Sequence, residues 1–142
     1  MMTKNHHNSV MFSESIDGLD IHSNGIYVDA TSGRGGHTQG ILDQLGDSGQ
    51  VIAFDQDIDA VEFAKSNFND PRLIVIHSSF SKLNNELKRL DLIGKIDGIL
   101  MDLGLSSPQL DNAKRGFSFN KDGPLDMRMN QTQRLTAAQW LK

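Results

Sequence analysis

The sequence predicts an α/β fold in which four parallel strands, separated by helices, share one sheet. Three observations carry this. Short β-branched runs alternate with segments of helical period, a glycine-rich turn follows the first run, and an aspartate closes the second. Residues 26–30 (IYVDA) read as the first strand and lead into the turn DATSGRGGHT, Asp29 to Thr38. A helix is expected over about 37–45, with Ile41, Leu42 and Leu45 on one face and Gly46 as its stop. Residues 51–54 (VIAF) form the second strand, ending at Asp55. Asp57 then caps a helix over about 58–68 whose apolar side carries Ala60, Val61, Ala64 and Phe68. Residues 73–77 (LIVIH) form the third strand, and Ser81 caps a helix carrying Leu83, Leu87 and Leu90 before Gly94. Residues 97–102 (DGILMD) form the fourth. All four runs are apolar through their centres, as strands covered on both faces should be.

Beyond Asp102 the pattern lapses. Residues 104–131 show no sustained period and hold Gly, Pro, Asn and Asp throughout, and so long an irregular stretch is usually functional. A helix begins again at Thr136 and the sequence stops inside it. The chain therefore reads as the first part of a longer protein, with 1–130 belonging to the sheet domain and 131–142 opening a helical insert.

Composition narrows the function classes only coarsely. With 37% hydrophobic and 23% charged residues in 142, the chain suits one globular domain with a real core. The absence of cysteine excludes disulfides, cysteine-based zinc sites and a thiolate nucleophile, and no metal site is expected. No apolar run approaches the roughly 18 residues of a membrane span, and MMTKNHHNSV has no signal-peptide stretch, so the expected location is the cytoplasm. A net charge of −4 argues against a strong non-specific grip on nucleic acid, though a local basic strip is compatible with it.

The residues at the strand ends point to a nucleotide-type ligand. Gly33, Gly35 and Gly36 let the turn approach a ligand where side chains would clash. Asp55, at the end of the next strand, stands where a carboxylate accepts hydrogen bonds from both ribose hydroxyls. Phe80 follows the third strand and could stack on adenine, and Asp102 ends the fourth beside the same crevice. Each has a plainer reading: the turn as mere geometry, Asp55 as a surface cap, Phe80 as core, Asp102 as a turn residue, His37 as a solvated helix residue. Their joint placement favours a cofactor. The turn is G-R-G-G rather than the G-x-G-x-x-G that seats a pyrophosphate, and Asp29 opens it. A carboxylate there repels a diphosphate and suits the cationic methyl donor S-adenosyl-L-methionine better than NAD.

The strings DATSGRGGHT, AFDQD, IDGILMDLGLSSPQLD, RGFSF and DGPLDMRM resemble the signatures of the bacterial RsmH (MraW) family, from about His7 to Lys142. That resemblance implies a class I (Rossmann-like) methyltransferase fold, here with an incomplete sheet. It also implies methyl transfer from S-adenosylmethionine to a cytosine N4 amine of 16S rRNA in the small ribosomal subunit. Carried over by position, it implies donor binding by Gly35, Gly36, His37, Asp55, Phe80, Asp102 and Gln109. A homodimer is a further expected partnership.

The chemistry agrees with the composition. An exocyclic amine must be oriented in line with the sulfonium methyl while its protons are accepted, and no covalent intermediate is needed. Ser107, the Pro108 carbonyl and Asp102 are the candidate acceptors of those protons. The plainer reading is that Asp102 only holds the donor and Ser106-Ser107-Pro108 only shapes a turn. Lys114, Arg115, Lys121 and Arg128, interleaved with Phe117 and Phe119, suit single-stranded RNA, with the target base turned out of its stack; alternatively the rings anchor the loop and the charges are solvated. In a class I sheet the fourth strand pairs with a fifth, so this chain alone is expected to present a bare edge, to be weakly stable and to have little activity. The competing functions are a methyltransferase for another amine, a non-catalytic chain that at most binds the donor, and an NAD-binding domain.

Overall fold

The computed structural model describes residues 11–142; the signal-peptide and His7 readings lie outside the described residues. Helix α1 (Phe12–Gly18) leads into strand β1 (Ile26–Asp29), helix α2 (Gly36–Gln44), strand β2 (Gln50–Asp55) and helix α3 (Ile58–Asn67). Strand β3 (Leu73–His77), a short 3-10 turn, helix α4 (Leu83–Arg89) and strand β4 (Gly98–Leu100) follow, then the short helices α5 (Ser107–Asp111) and α6 (Ala137–Trp140).

The strands form one parallel sheet in the order β3-β2-β1-β4. Alternation along the strands splits the core into two layers. Tyr27 and Val51 face α1 and α2, packing with Ile16, Ile41 and Leu42. Val28, Ile52 and Phe54 face the other way, toward Leu87 of α4 and Leu92. Eclipsed apolar ladders buried on both sides are what a parallel sheet under helices requires.

Several expected details change. The strand expected over 97–102 pairs only over Gly98–Leu100, because the chain turns away at Asp102, whose N–H donates to Thr31 Oγ1 at 2.7 Å. Nor is β4 covered on both faces. Ile99 pairs with Val28, yet it is 44% exposed. Ser81 does not cap the fourth helix: Ser79 accepts the Ser81 N–H and caps a 3-10 turn, Phe80–Lys82, and α4 continues from Lys82 without a side-chain cap. Gly46 is not a left-handed stop; α2 ends at Gln44 with Leu45 extended, and Gly46 donates to the Ser23 carbonyl. Helix α1, with the single buried residue Ile16, was not expected. The stretch 104–131 is not wholly irregular, since it holds α5 and a 3-10 turn at Ala113–Arg115. Asp57 does cap α3, accepting from the Asp59 N–H, and Thr136 does cap α6.

Candidate functional site

The C-terminal ends of β1 and β2 are tied into one unit. Gly33 (φ 51°) and Gly35 (φ 78°) take left-handed conformations that let the chain reverse from β1 into α2. The Gly33 N–H then donates to Asp55 Oδ2 at 2.8 Å, and the Asp57 N–H donates to Asp55 Oδ1 at 2.9 Å. Each oxygen keeps a free lone-pair direction, so the carboxylate is fixed in place and can still accept from a ligand. Burial pushes the Asp55 carboxyl above its ordinary range, against the opposing pull of the Asp57 and Gly33 N–H groups.

Asp29 does not face a ligand. It is wholly buried, Oδ2 accepting from Thr38 Oγ1 at 2.6 Å and Oδ1 from the Thr31 N–H at 3.2 Å. Burial raises its pKa, against the Thr38 hydroxyl and the Thr31 N–H. The cation preference read from Asp29 therefore cannot act through direct contact; the carboxylate instead fixes the turn to the start of α2.

His37 is buried and stacked on Phe12, the ring centroids 5.7 Å apart. Its Nε2 and the Ser32 hydroxyl are buried without a hydrogen-bond partner among the described residues. A Cβ on Gly33 would approach nothing closer than the Thr31 carbonyl at 4.0 Å, so the turn's crest is open. An open glycine crest, a fixed carboxylate with spare lone pairs and orphaned polar atoms beside them fit a ribose-bearing ligand.

The remaining expected site residues are placed as follows. Phe80 begins the 3-10 turn after β3 and is 39% exposed. Asp102 is exposed, next to the turn through its N–H bond to Thr31. Ser107 and Pro108 open α5, and the Pro108 carbonyl already accepts from the Asn112 N–H at 3.3 Å. Gln109 is buried with both amide ends occupied: Nε2 donates to Asp57 Oδ2 at 2.8 Å and Oε1 accepts from the Ser106 N–H at 3.0 Å.

The basic-aromatic strip is reduced. Arg115 is buried, not an RNA-facing cation; it pairs with Asp57 at 2.8 Å and Asp59 at 3.1 Å. Arg128 pairs with Asp126 at 2.7 Å and donates to the Gln133 carbonyl. Phe117 is buried, whereas Phe119 is fully exposed; Lys114 is exposed, and Lys121 is half-exposed and donates to the Asp111 carbonyl at 2.6 Å. Sequence reasoning missed the Asp57–Gln109–Arg115 knot. The Ser106-x-x-Gln109 capping box was its one local signal. Among the described residues no group of three or more His, Cys, Asp or Glu side chains could hold a metal ion, and no helix is long and apolar enough to cross a membrane.

A glycine turn after the central β1, a braced carboxylate after β2 and the order β3-β2-β1-β4 place the protein in the Rossmann-like α/β class, in the arrangement of class I methyltransferases. More particularly, the chain belongs to the MraW methylase family, whose model matches residues 4–142. It is 64% identical over 140 residues to the ribosomal RNA small subunit methyltransferase H of Ruthia magnifica subsp. Calyptogena magnifica, covering 99% of this chain and 46% of that protein. The enzymes of the same name from Vesicomyosocius okutanii subsp. Calyptogena okutanii (61%; 99% and 46% covered) and Hydrogenovibrio crunogenus (54%; 97% and 44%) are similar. The chain thus spans about half the length of the curated relatives it matches. A crystal structure of a candidate rRNA-methylase from Clostridium thermocellum, 22% identical with a TM-score of 0.49 over 54% of this chain and 45% of its own, is too distant to carry an argument.

Proposed function

We propose that this chain supplies the donor-binding half of an S-adenosylmethionine-dependent methyltransferase acting on the N4 amine of a cytosine in 16S rRNA of the small ribosomal subunit, in the cytoplasm. One observation carries the reading: Asp55, braced by the Gly33 and Asp57 N–H groups beside an open glycine crest. Membership of a methylase family, with relatives named as small-subunit ribosomal RNA methyltransferases, supports a methyl donor and an rRNA acceptor for this geometry.

When bound, S-adenosylmethionine supplies an electrophilic sulfonium methyl. The chain's own residues do the rest. Asp55 accepts from the ribose hydroxyls, Gly35, Gly36 and His37 line the methionine end, and Phe80 stands beside the adenine. Gln109 acts from behind, since both ends of its amide are engaged by the protein. The exposed Asp102 carboxylate and the Ser107 hydroxyl would accept the protons of the N4 amine, aligning its lone pair for in-line attack. The Pro108 carbonyl contributes less, being shared with the Asn112 N–H. Lys114, Lys121 and Phe119 give the RNA a small basic and aromatic contact.

Titration calorimetry of this chain with S-adenosylmethionine and with NAD tests the reading. Heat of binding with the first alone supports it, and heat with NAD alone overturns it. A second reading, donor binding without catalysis by this chain, is favoured by the exposure of Ile99 in β4 and of Met101 just beyond it, 44% and 47%. Labelled methyl transfer to small ribosomal subunits distinguishes the two. A homodimer, the remaining expected partnership, is tested by sedimentation of the same sample.

A further inference from the structure

Asp57 does more than cap α3. Capping needs one oxygen, and Oδ1 supplies it to the Asp59 N–H at 3.1 Å. Oδ2 receives two donors from far along the chain, Gln109 Nε2 and a terminal guanidinium nitrogen of Arg115, each at 2.8 Å. All three side chains are buried. An ordinary surface cap has no use for a buried arginine, and a buried pair of this kind is weak as a source of stability, its specificity being the better-attested role.

The bonds form a continuous path. The Asp57 N–H holds Asp55 Oδ1, Asp57 Oδ2 holds Gln109, and Gln109 Oε1 holds the Ser106 N–H. One end is the proposed donor carboxylate and the other is the first residue of the proposed acceptor loop. Arg115 adds a second tie, reaching the carbonyls of Arg128 and Met129, while Gln56 Nε2 meets Met129 Sδ at 3.1 Å. Beside the knot, Gly33, Ala60, Phe63, Ser106 and Pro108 line one open groove of about 480 Å³, so the turn and the loop border the same space.

We infer that Asp57 is a positioning residue that couples the donor carboxylate Asp55 to the acceptor loop Ser106–Pro108, so that donor binding and loop placement are set together. This rests on the proposed donor site. The test is amide hydrogen exchange on the 142-residue chain, with and without saturating S-adenosylhomocysteine, for the wild type and Asp57→Asn. Asparagine keeps an oxygen for the Asp59 N–H but cannot accept from both Gln109 and Arg115.

In the wild type the ligand should slow exchange in residues 32–38 and also in 106–112, on the order of tenfold, a typical size for linked sites. In Asp57→Asn the protection at 32–38 should persist and that at 106–112 should vanish. A merely structural Asp57 would lower the melting temperature yet leave ligand protection in both segments, and this overturns the inference. Protection confined to 32–38 in the wild type overturns it too, while leaving the donor site standing. No protection anywhere in the wild type overturns the donor site and the inference with it. If Asp57→Asn does not fold, Asp57→Ser, whose hydroxyl can still cap but cannot reach Gln109, is read in the same way.

Discussion

The two ends of the sheet that meet at the proposed site are built in opposite ways. At β1 and β2, Tyr27, Val28, Ile52 and Phe54 are wholly buried, and the turn beyond them is held by short bonds to Asp29 and Asp55. At β4 the ladder is three residues long, and Ile99, Met101, Leu103 and Leu105 are all substantially exposed. The first region is made by neighbouring segments and is complete within this chain. The second depends on contacts spanning more than 50 residues, notably Gln109 and Arg115 to Asp57. The proposed donor side is therefore preformed, and the proposed acceptor side is held by a few polar ties.

The largest expected effect falls on the tie between the regions. Arg115→Met leaves Asp57 buried without its cation and should cost about 3–5 kcal/mol in urea unfolding. A loss below about 1 kcal/mol would mean that the pair behaves as a surface bridge. Gly35→Ala should come next. It forces a left-handed alanine, costing about 1–2 kcal/mol, and sets its methyl against the Phe68 ring. Donor binding should fall with it, whereas the exchange of the 106–112 amides in ligand-free protein should hardly change.

The pH dependence separates the regions further. Asp29 has a raised pKa through burial, so the folded chain takes up a proton before the unfolded chain does. Its contribution to stability is therefore present at acid pH and is lost as the pH rises through the folded value. Wild type should gain stability relative to Asp29→Asn as the pH falls from neutrality toward the ordinary carboxyl value of 3.8, and a constant difference would contradict the assignment. Asp126, by contrast, is held below the ordinary range by the Arg128 guanidinium, and its contribution persists until more acid pH. The smallest effect belongs to Phe119→Ala. The ring is fully exposed, so stability should move by less than about 0.5 kcal/mol, while binding to a single-stranded RNA oligonucleotide should weaken.

The same contrast explains what the sequence made legible. The ladders of β1, β2 and β3 were readable because each run is apolar on both faces, and the β3 bounds coincide with the expected ones. The exposure of Ile99 in β4 was not, because the run DGILMD is apolar through its centre although Ile99 and Met101 are 44% and 47% exposed. Gly35, Asp55 and Asp102 could be placed from strand-end logic alone. The burial of Arg115 could not, since no local pattern separates a strut from a solvated cation. Gln109 entered only through the family resemblance, as an expected donor contact, and nothing beyond the capping box signalled that its amide is spent on Ser106 and Asp57. Asp29 was legible as important, and its buried bond to Thr38 corrects the reason.

The proposed site depends above all on the braced Asp55 and the glycine crest holding the methyl donor. Titration calorimetry with S-adenosylhomocysteine at neutral and mildly acid pH, on wild type and Asp55→Asn, tests it most directly. Because burial raises the Asp55 pKa, its charged form is lost sooner than an ordinary aspartate's as the pH falls. Wild type should bind at neutral pH and more weakly in acid, and Asp55→Asn should bind weakly with a flatter pH profile. Equal affinity of the two proteins at neutral pH, or no binding by the wild type, would contradict the claim.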